Sequence, residues 1–153
     1  MKTAIIYYSE HHGNTKKLLD AIAAHGDVTL VDATSTPKTD LSAYGLIGFA
    51  SGIYYSKFHD DLLKFAEKNL PYGKKVFFIY TCGMKRKSYT DALKQITDSK
   101  GAQLLGVYDC LGFDTFGPLR FVGGIAKGRP NDADIAGAVK FFGEIGGEGE
   151  SAQ

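Results

Sequence analysis

Apolar and polar positions follow two different periods along this chain, and they take turns. Ala4-Ile5-Ile6-Tyr7-Tyr8 is an unbroken apolar run, as expected of a strand covered on both faces, so a strand is expected over 2–8. Leu18, Leu19, Ile22 and Ala23 then recur at helical spacing, predicting a helix over 14–24. Val28, Leu30 and Val31 mark a second strand over 28–33, and Thr34 to Ser42, with Pro37, Asp40 and many hydroxyls, reads as a connection. Gly45 to Ala50 is a third strand, followed by a helix bearing Phe58, Leu62, Phe65 and Ala66, with Ser56 as its expected N-cap. Lys75 to Tyr80 is a fourth strand. Tyr89, Ala92, Leu93 and Ile96 form a third helix opened by Ser88 and Asp91, close to a capping box. Ala102 to Leu111 is a fifth strand, and a last helix after Pro130-Asn131 buries Ile135, Ala138, Val139 and Phe142.

Strands that alternate with helices imply an α/β protein with a doubly wound, five-stranded parallel sheet and helices on both faces. Ligands of such sheets bind beyond the carboxyl ends of the strands, where the strand order reverses. That singles out 9–15, 51–56, 81–88 and 112–130. A single domain over 1–145 is expected, with a Gly- and Glu-rich flexible tail over 146–153.

Composition narrows the function classes. A chain of 153 residues that is 44% hydrophobic fills one core. Its formal net charge of +1 selects neither nucleic acid nor an acidic membrane. Two cysteines, Cys82 and Cys110, are too few for a disulfide framework and lack metal-ligand spacing. They read as core-filling reduced thiols, and with no secretory signal or membrane-length run the expected location is cytoplasmic.

The first strand hands over to its helix through Ser9-Glu10-His11-His12-Gly13-Asn14-Thr15. Small and hydroxyl residues at a helix start gather free N–H groups at the positive end of the helix dipole, an arrangement suited to phosphate. A dinucleotide fold would need G-x-G-x-x-G, and only Gly13 is there. A P-loop would need Lys before its hydroxyl residue, where Asn14 stands. A phospho-receiver would need acids after strands one and three, but these end in Tyr8-Ser9 and Ala50-Ser51. A cysteine phosphatase would need Cys and Arg on one loop, and Cys82 and Arg86 are wrongly spaced. What remains is a cradle of neutral donors: Ser9 and Thr15 hydroxyls, the Asn14 amide and backbone N–H groups.

Ser9 and Gly13-Asn14-Thr15 resemble the S/T-x-T-G-N-T loop with which the flavodoxin family binds the phosphate of FMN. This loop has one residue more, so either His11 or His12 takes the place of the middle hydroxyl. The resemblance spans nearly the whole chain and implies the strand order 2-1-3-4-5. It implies a first ring loop at Ser51-Gly52-Ile53-Tyr54-Tyr55-Ser56, where Tyr54 or Tyr55 covers the isoalloxazine in a chain without Trp. It implies a second ring loop at Thr81-Cys82-Gly83-Met84, offering N–H donors to the pyrimidine edge. Phe116 or Phe121, on the long segment after strand five, would shield the ring or face a partner.

The function then expected is that of a low-potential electron carrier between redox enzymes, such as a reductase and a ferredoxin-like protein, as a monomer or weak dimer. Carriers of this family are typically acidic, and the +1 charge departs from that. Two other readings stay open: an FMN-dependent NAD(P)H:quinone-type oxidoreductase, and a flavin-free interaction domain. His25 and His59 read as helix-surface residues, and Lys85-Arg86-Lys87 as a solvated run that also rims the site.

Overall fold

A strand covered on both faces buries consecutive apolar residues together, and that is where Ile5-Ile6, Phe49-Ala50 and Val76 to Ile79 lie. The computed structural model describes residues 2–9, 13–35, 38–112 and 128–151. Its strands are β1 (Thr3–Tyr8), β2 (Val28–Asp32), β3 (Leu46–Tyr54), β4 (Lys57–Phe58), β5 (Lys75–Cys82) and β6 (Gln103–Leu111). Its α-helices are α1 (Asn14–Ala23), α2 (Asp60–Asn69), α3 (Asp91–Ser99) and α4 (Asp132–Ser151). The long strands form a parallel sheet in the order β2-β1-β3-β5-β6, and the two-residue β4 folds back antiparallel on β3. With β4 set aside this is the 2-1-3-4-5 order, and the reversal falls between β1 and β3.

Each central strand divides its side chains between two cores. Ala4, Ile6, Ile47, Phe49, Val76, Phe78 and Tyr80 face Leu62, Phe65 and Ala66 of α2 and Leu93 of α3. Ile5, Leu46, Ala50, Phe77, Ile79 and Cys110 face Leu18, Leu19 and Ile22 of α1 and Ala138 and Ile145 of α4. Among the described residues no helix is long and apolar enough to cross a membrane.

Several boundaries differ from the sequence reading, each for a local reason. β3 runs on to Tyr54 because parallel pairing with β5 continues through Ser51 and Gly52. Ser56 does not cap α2; it lies in the turn before β4, and the cap is His59, whose ring Nδ1 accepts the Asp61 N–H at 3.1 Å. Ser88 does not open α3 either, because a 3-10 turn over Lys87–Thr90 intervenes and buries Tyr89. α4 continues past Ile145 to Ser151.

The start of α4 is held by a reciprocal cap. Asn131 Oδ1 accepts the Asp134 N–H at 2.9 Å, and Asp134 Oδ2 accepts the Asn131 N–H at 2.8 Å. Arg129 donates to both oxygens of the same carboxylate. The Arg129 bonds, with the Asn131 amide, hold the buried Asp134 carboxyl below its usual range. A depressed carboxyl pKa stabilises the fold fully above the unfolded value of about 3.9, and that contribution is lost as pH falls through the folded value. Asp134→Asn is therefore expected to be less stable by about 1–2 kcal/mol at pH 7. Its urea-unfolding deficit should shrink toward pH 2.5; a deficit independent of pH would contradict this linkage.

Candidate functional site

Parallel register brings the segments after β1, β3, β5 and β6 to one edge of the sheet. Tyr8 stands opposite Ser51, Gly52 opposite Thr81, and Thr81 opposite Cys110. Ser9, Gly52, Cys82 and Gly112 therefore flank the point where strand order reverses, the place where this architecture leaves room for a ligand.

The start of α1 carries the features of an anion site. Gly13 occupies the cap position at φ 66°, ψ 29°, a left-handed conformation that glycine adopts without penalty. Its carbonyl accepts the Lys17 N–H at 3.1 Å. Gly13 brings no side chain to cap the helix, no acidic residue stands in its first turn, and among the described residues nothing lies within 4 Å of a Cβ placed at Gly13. Ser9 Oγ accepts the Lys16 N–H at 3.4 Å.

Asn14 and Thr15 are placed differently from a simple open cradle, for both are buried. Thr15 Oγ1 lies 3.0 Å from Thr81 Oγ1, tying the first loop to the end of β5. If Thr81 donates, the Thr15 hydroxyl keeps its own proton for a ligand. The Asn14 amide packs on Gly112, where a Cβ would come within 2.7 Å of Nδ2. His11 and His12 lie outside the described residues.

β3 delivers the aromatic part of the site. Tyr54 and Lys57 pair across a two-residue turn in which Tyr55 (φ 51°) and Ser56 (φ 65°) are both left-handed. That is the type I′ pattern matched to strand twist, yet it is built here without Gly or Asn, at about 1 kcal/mol or more per residue. Such strain persists only where surrounding contacts impose it. Tyr55 is thereby presented at the tip, 84% exposed. Tyr54 folds back, edge-on to Tyr8 at 5.5 Å and to His59 at 4.9 Å.

His59 and Tyr8 lie face to face, with centroids 3.6 Å apart and planes within 8°. Ser51 is turned inward and wholly buried; its hydroxyl bonds to the Gly52 carbonyl and accepts the His59 N–H at 3.3 Å. Gly52 and Ile53 are half-buried. The expectation of a surface His59 is thus corrected. No sequence propensity marks histidine as a cap, and Tyr8 reads only as the end of an apolar strand.

At the end of β5, Thr81 and Cys82 are buried, Gly83 is half-buried, and Met84 is 61% exposed. Both thiols are internal. Cys82 Sγ points to the Cys110 carbonyl at 3.8 Å, and burial, assisted by Asp134, pushes the Cys110 thiol up to about 12. Burial, with Asp109 beside it, likewise drives the Tyr80 phenol far above its ordinary range, and its hydroxyl donates to the Arg86 carbonyl. Lys85 pairs with Asp109 at 3.1 Å, whereas Arg86 and Lys87 are exposed. Phe116 and Phe121 lie outside the described residues.

A family model described as "Flavodoxin domain" matches residues 5–109. An uncharacterized protein of Methanocaldococcus jannaschii is 37% identical over 147 residues, covering 92% of this chain and 95% of that one. The fold is similar to that of a flavodoxin from the domain Archaea (TM-score 0.67, 18% identity, 97% of this chain and 98% of that one). It is also similar to oxidised Flavodoxin 2 from Bacillus cereus (0.66, 17%, 97% and 99%). A Lactobacillus acidophilus flavoprotein solved in complex with FMN aligns over 71% of this chain and 92% of its own (0.58, 18%). The sheet order, the left-handed Gly13 that starts a helix at its switch point and the match over 5–109 agree, and the chain belongs to the flavodoxin-domain family.

Proposed function

We propose that this protein binds FMN non-covalently at the strand-end edge and acts as a low-potential electron carrier between redox proteins, such as a reductase and a ferredoxin-like enzyme. One observation carries the reading: α1 begins at a left-handed Gly13 that brings no capping side chain, with no acid in the first turn and, among the described residues, nothing within 4 Å of a Cβ placed there. N–H groups at the positive end of a helix whose first turn carries no carboxylate suit a phosphate monoester. The residues present fit the cofactor.

In this reading Ser9, either His11 or His12, Gly13, Asn14 and Thr15 hold the phosphate, with Thr81 orienting the Thr15 hydroxyl. Tyr55 covers one face of the ring, while Tyr54 braces the turn from behind. Gly52 lets the backbone approach, and Thr81 to Met84 supply N–H donors to the ring edge. Bound FMN supplies one-electron transfer; the chain binds it, excludes water from one ring face and fixes the hydrogen bonds that set its potential. A second reading, an NAD(P)H:quinone-type oxidoreductase, draws on the formal charge of +1, which gives no acidic field to steer basic partners.

An FMN titration tests the proposal. Flavin fluorescence should quench to a 1:1 end point, and riboflavin, lacking the phosphate, should bind at least a hundredfold more weakly. Absence of FMN binding would overturn both redox readings. With FMN bound, reduction only through a reductase supports the carrier. Steady NAD(P)H oxidation with a quinone alone supports the enzyme.

A further inference from the structure

We propose that His59 is a positioning residue that clamps the Tyr54–Lys57 turn to the end of β1 and so holds Tyr55 over the ligand. The ligand comes from the FMN reading above; the clamp is a property of the chain and is testable without flavin. Four contacts converge on this one side chain and its amide. The imidazole stacks on Tyr8, the residue before Ser9, and meets Tyr54, the residue before Tyr55, edge-on. The His59 N–H donates to Ser51 Oγ on β3. Its Nδ1 accepts the Asp61 N–H, which starts α2.

A turn with two consecutive left-handed residues and no glycine is held open by its surroundings. Contacts that oppose its relaxation include the β3–β4 pairing and the Tyr8, Tyr54 and His59 rings. The clamp also links the two halves of the site, because Tyr8 leads directly into the first loop. A shift of the ring stack therefore reaches both Ser9, the next residue after Tyr8, and the aromatic turn.

Cap and clamp use different parts of the imidazole, so substitution separates them. His59→Asn keeps a side-chain acceptor for the Asp61 N–H but has no ring. His59→Phe keeps a ring and has no acceptor. In the full-length flavin-free protein, His59→Asn is expected to speed amide hydrogen exchange across Ile53–Phe58 at least tenfold with little change in Tm. His59→Phe is expected to lower Tm by several degrees and to restore slow exchange in the turn. In FMN titrations His59→Asn should lose at least tenfold in affinity, and His59→Phe should recover most of that loss.

Equal loosening of the turn by both variants would overturn the proposal, because a ring without the acceptor would then fail to hold the turn. So would wild-type exchange in His59→Asn. Should His59→Asn fail to fold, Tyr8→Leu removes the other half of the stack and carries the same expectation for the turn. If the wild type binds no FMN, the cofactor reading falls, and the exchange measurements still decide the clamp.

Discussion

Gly13→Asp is expected to abolish FMN binding while leaving the fold intact. Gly13 sits at φ 66°, Asp is among the few residues that tolerate the left-handed region, and among the described residues nothing lies within 4 Å of its Cβ. A carboxylate at the start of α1 also interacts favourably with the helix dipole, by about 0.3–1 kcal/mol, which offsets the backbone cost. Unfolding stability should therefore stay within about 1 kcal/mol of wild type. The ligand meets the opposite situation. A like charge about 4 Å from the phosphate costs about 4 kcal/mol at an effective dielectric constant of 20, for each unit of phosphate charge. Even after screening, a loss of at least a hundredfold follows. Fluorescence titration checks it, with riboflavin as control, since a ligand without phosphate should be nearly indifferent to the change. FMN affinity within threefold of wild type would place the phosphate elsewhere.

That prediction rests on a position legible in the sequence, and much of the fold was legible for the same reason. The central strands announce themselves because burial on both faces demands consecutive apolar residues, as in Val76 to Ile79. The helices do so through Leu18, Leu19 and Ile22, or Leu62, Phe65 and Ala66, each on a single buried stripe. Features that depend on distant partners were not legible. Ser51 and Gly52 break an apolar run, so β3 reads as ending at Ala50, yet β5 pairs with it as far as Gly52. The turn at Tyr55-Ser56 lacks the Gly or Asn by which a type I′ turn is recognised. Thr15 reads as a phosphate donor and Thr81 as part of a ring loop, and their mutual hydrogen bond spans 66 positions. His59 does its work through the faces of two tyrosines and one ring nitrogen, none of which has a sequence period.

Gly48 is the clearest case of a residue whose importance only packing reveals, and Gly48→Ala is expected to destabilise the protein by about 3 kcal/mol. In sequence it is one small residue inside an apolar strand. In the fold it stands opposite Ile5 on one side and Phe77 on the other, at the centre of the sheet. A Cβ there would fall 2.3, 2.6 and 2.9 Å from three atoms of the Phe77 ring. The ring cannot swing aside, because it is wholly buried with Phe141 at 6.2 Å and Phe142 at 5.9 Å. Nor can the backbone retreat, since β3 is hydrogen-bonded to β1 and β5 along both edges. Thermal melts should show a loss of about 6–12 °C, at about 2–4 °C per kcal/mol for a chain of this size. Adding Phe77→Leu shortens the opposing ring and should recover part of the loss, a non-additivity expected only of side chains in contact. If Gly48→Ala costs under 1 kcal/mol, or if Phe77→Leu merely adds its own cost, the close-approach account is wrong. FMN affinity of the folded fraction should stay within about threefold, because the strain lies in the β3 interior while the strand's paired end still delivers Ser51 to Tyr54 to the site.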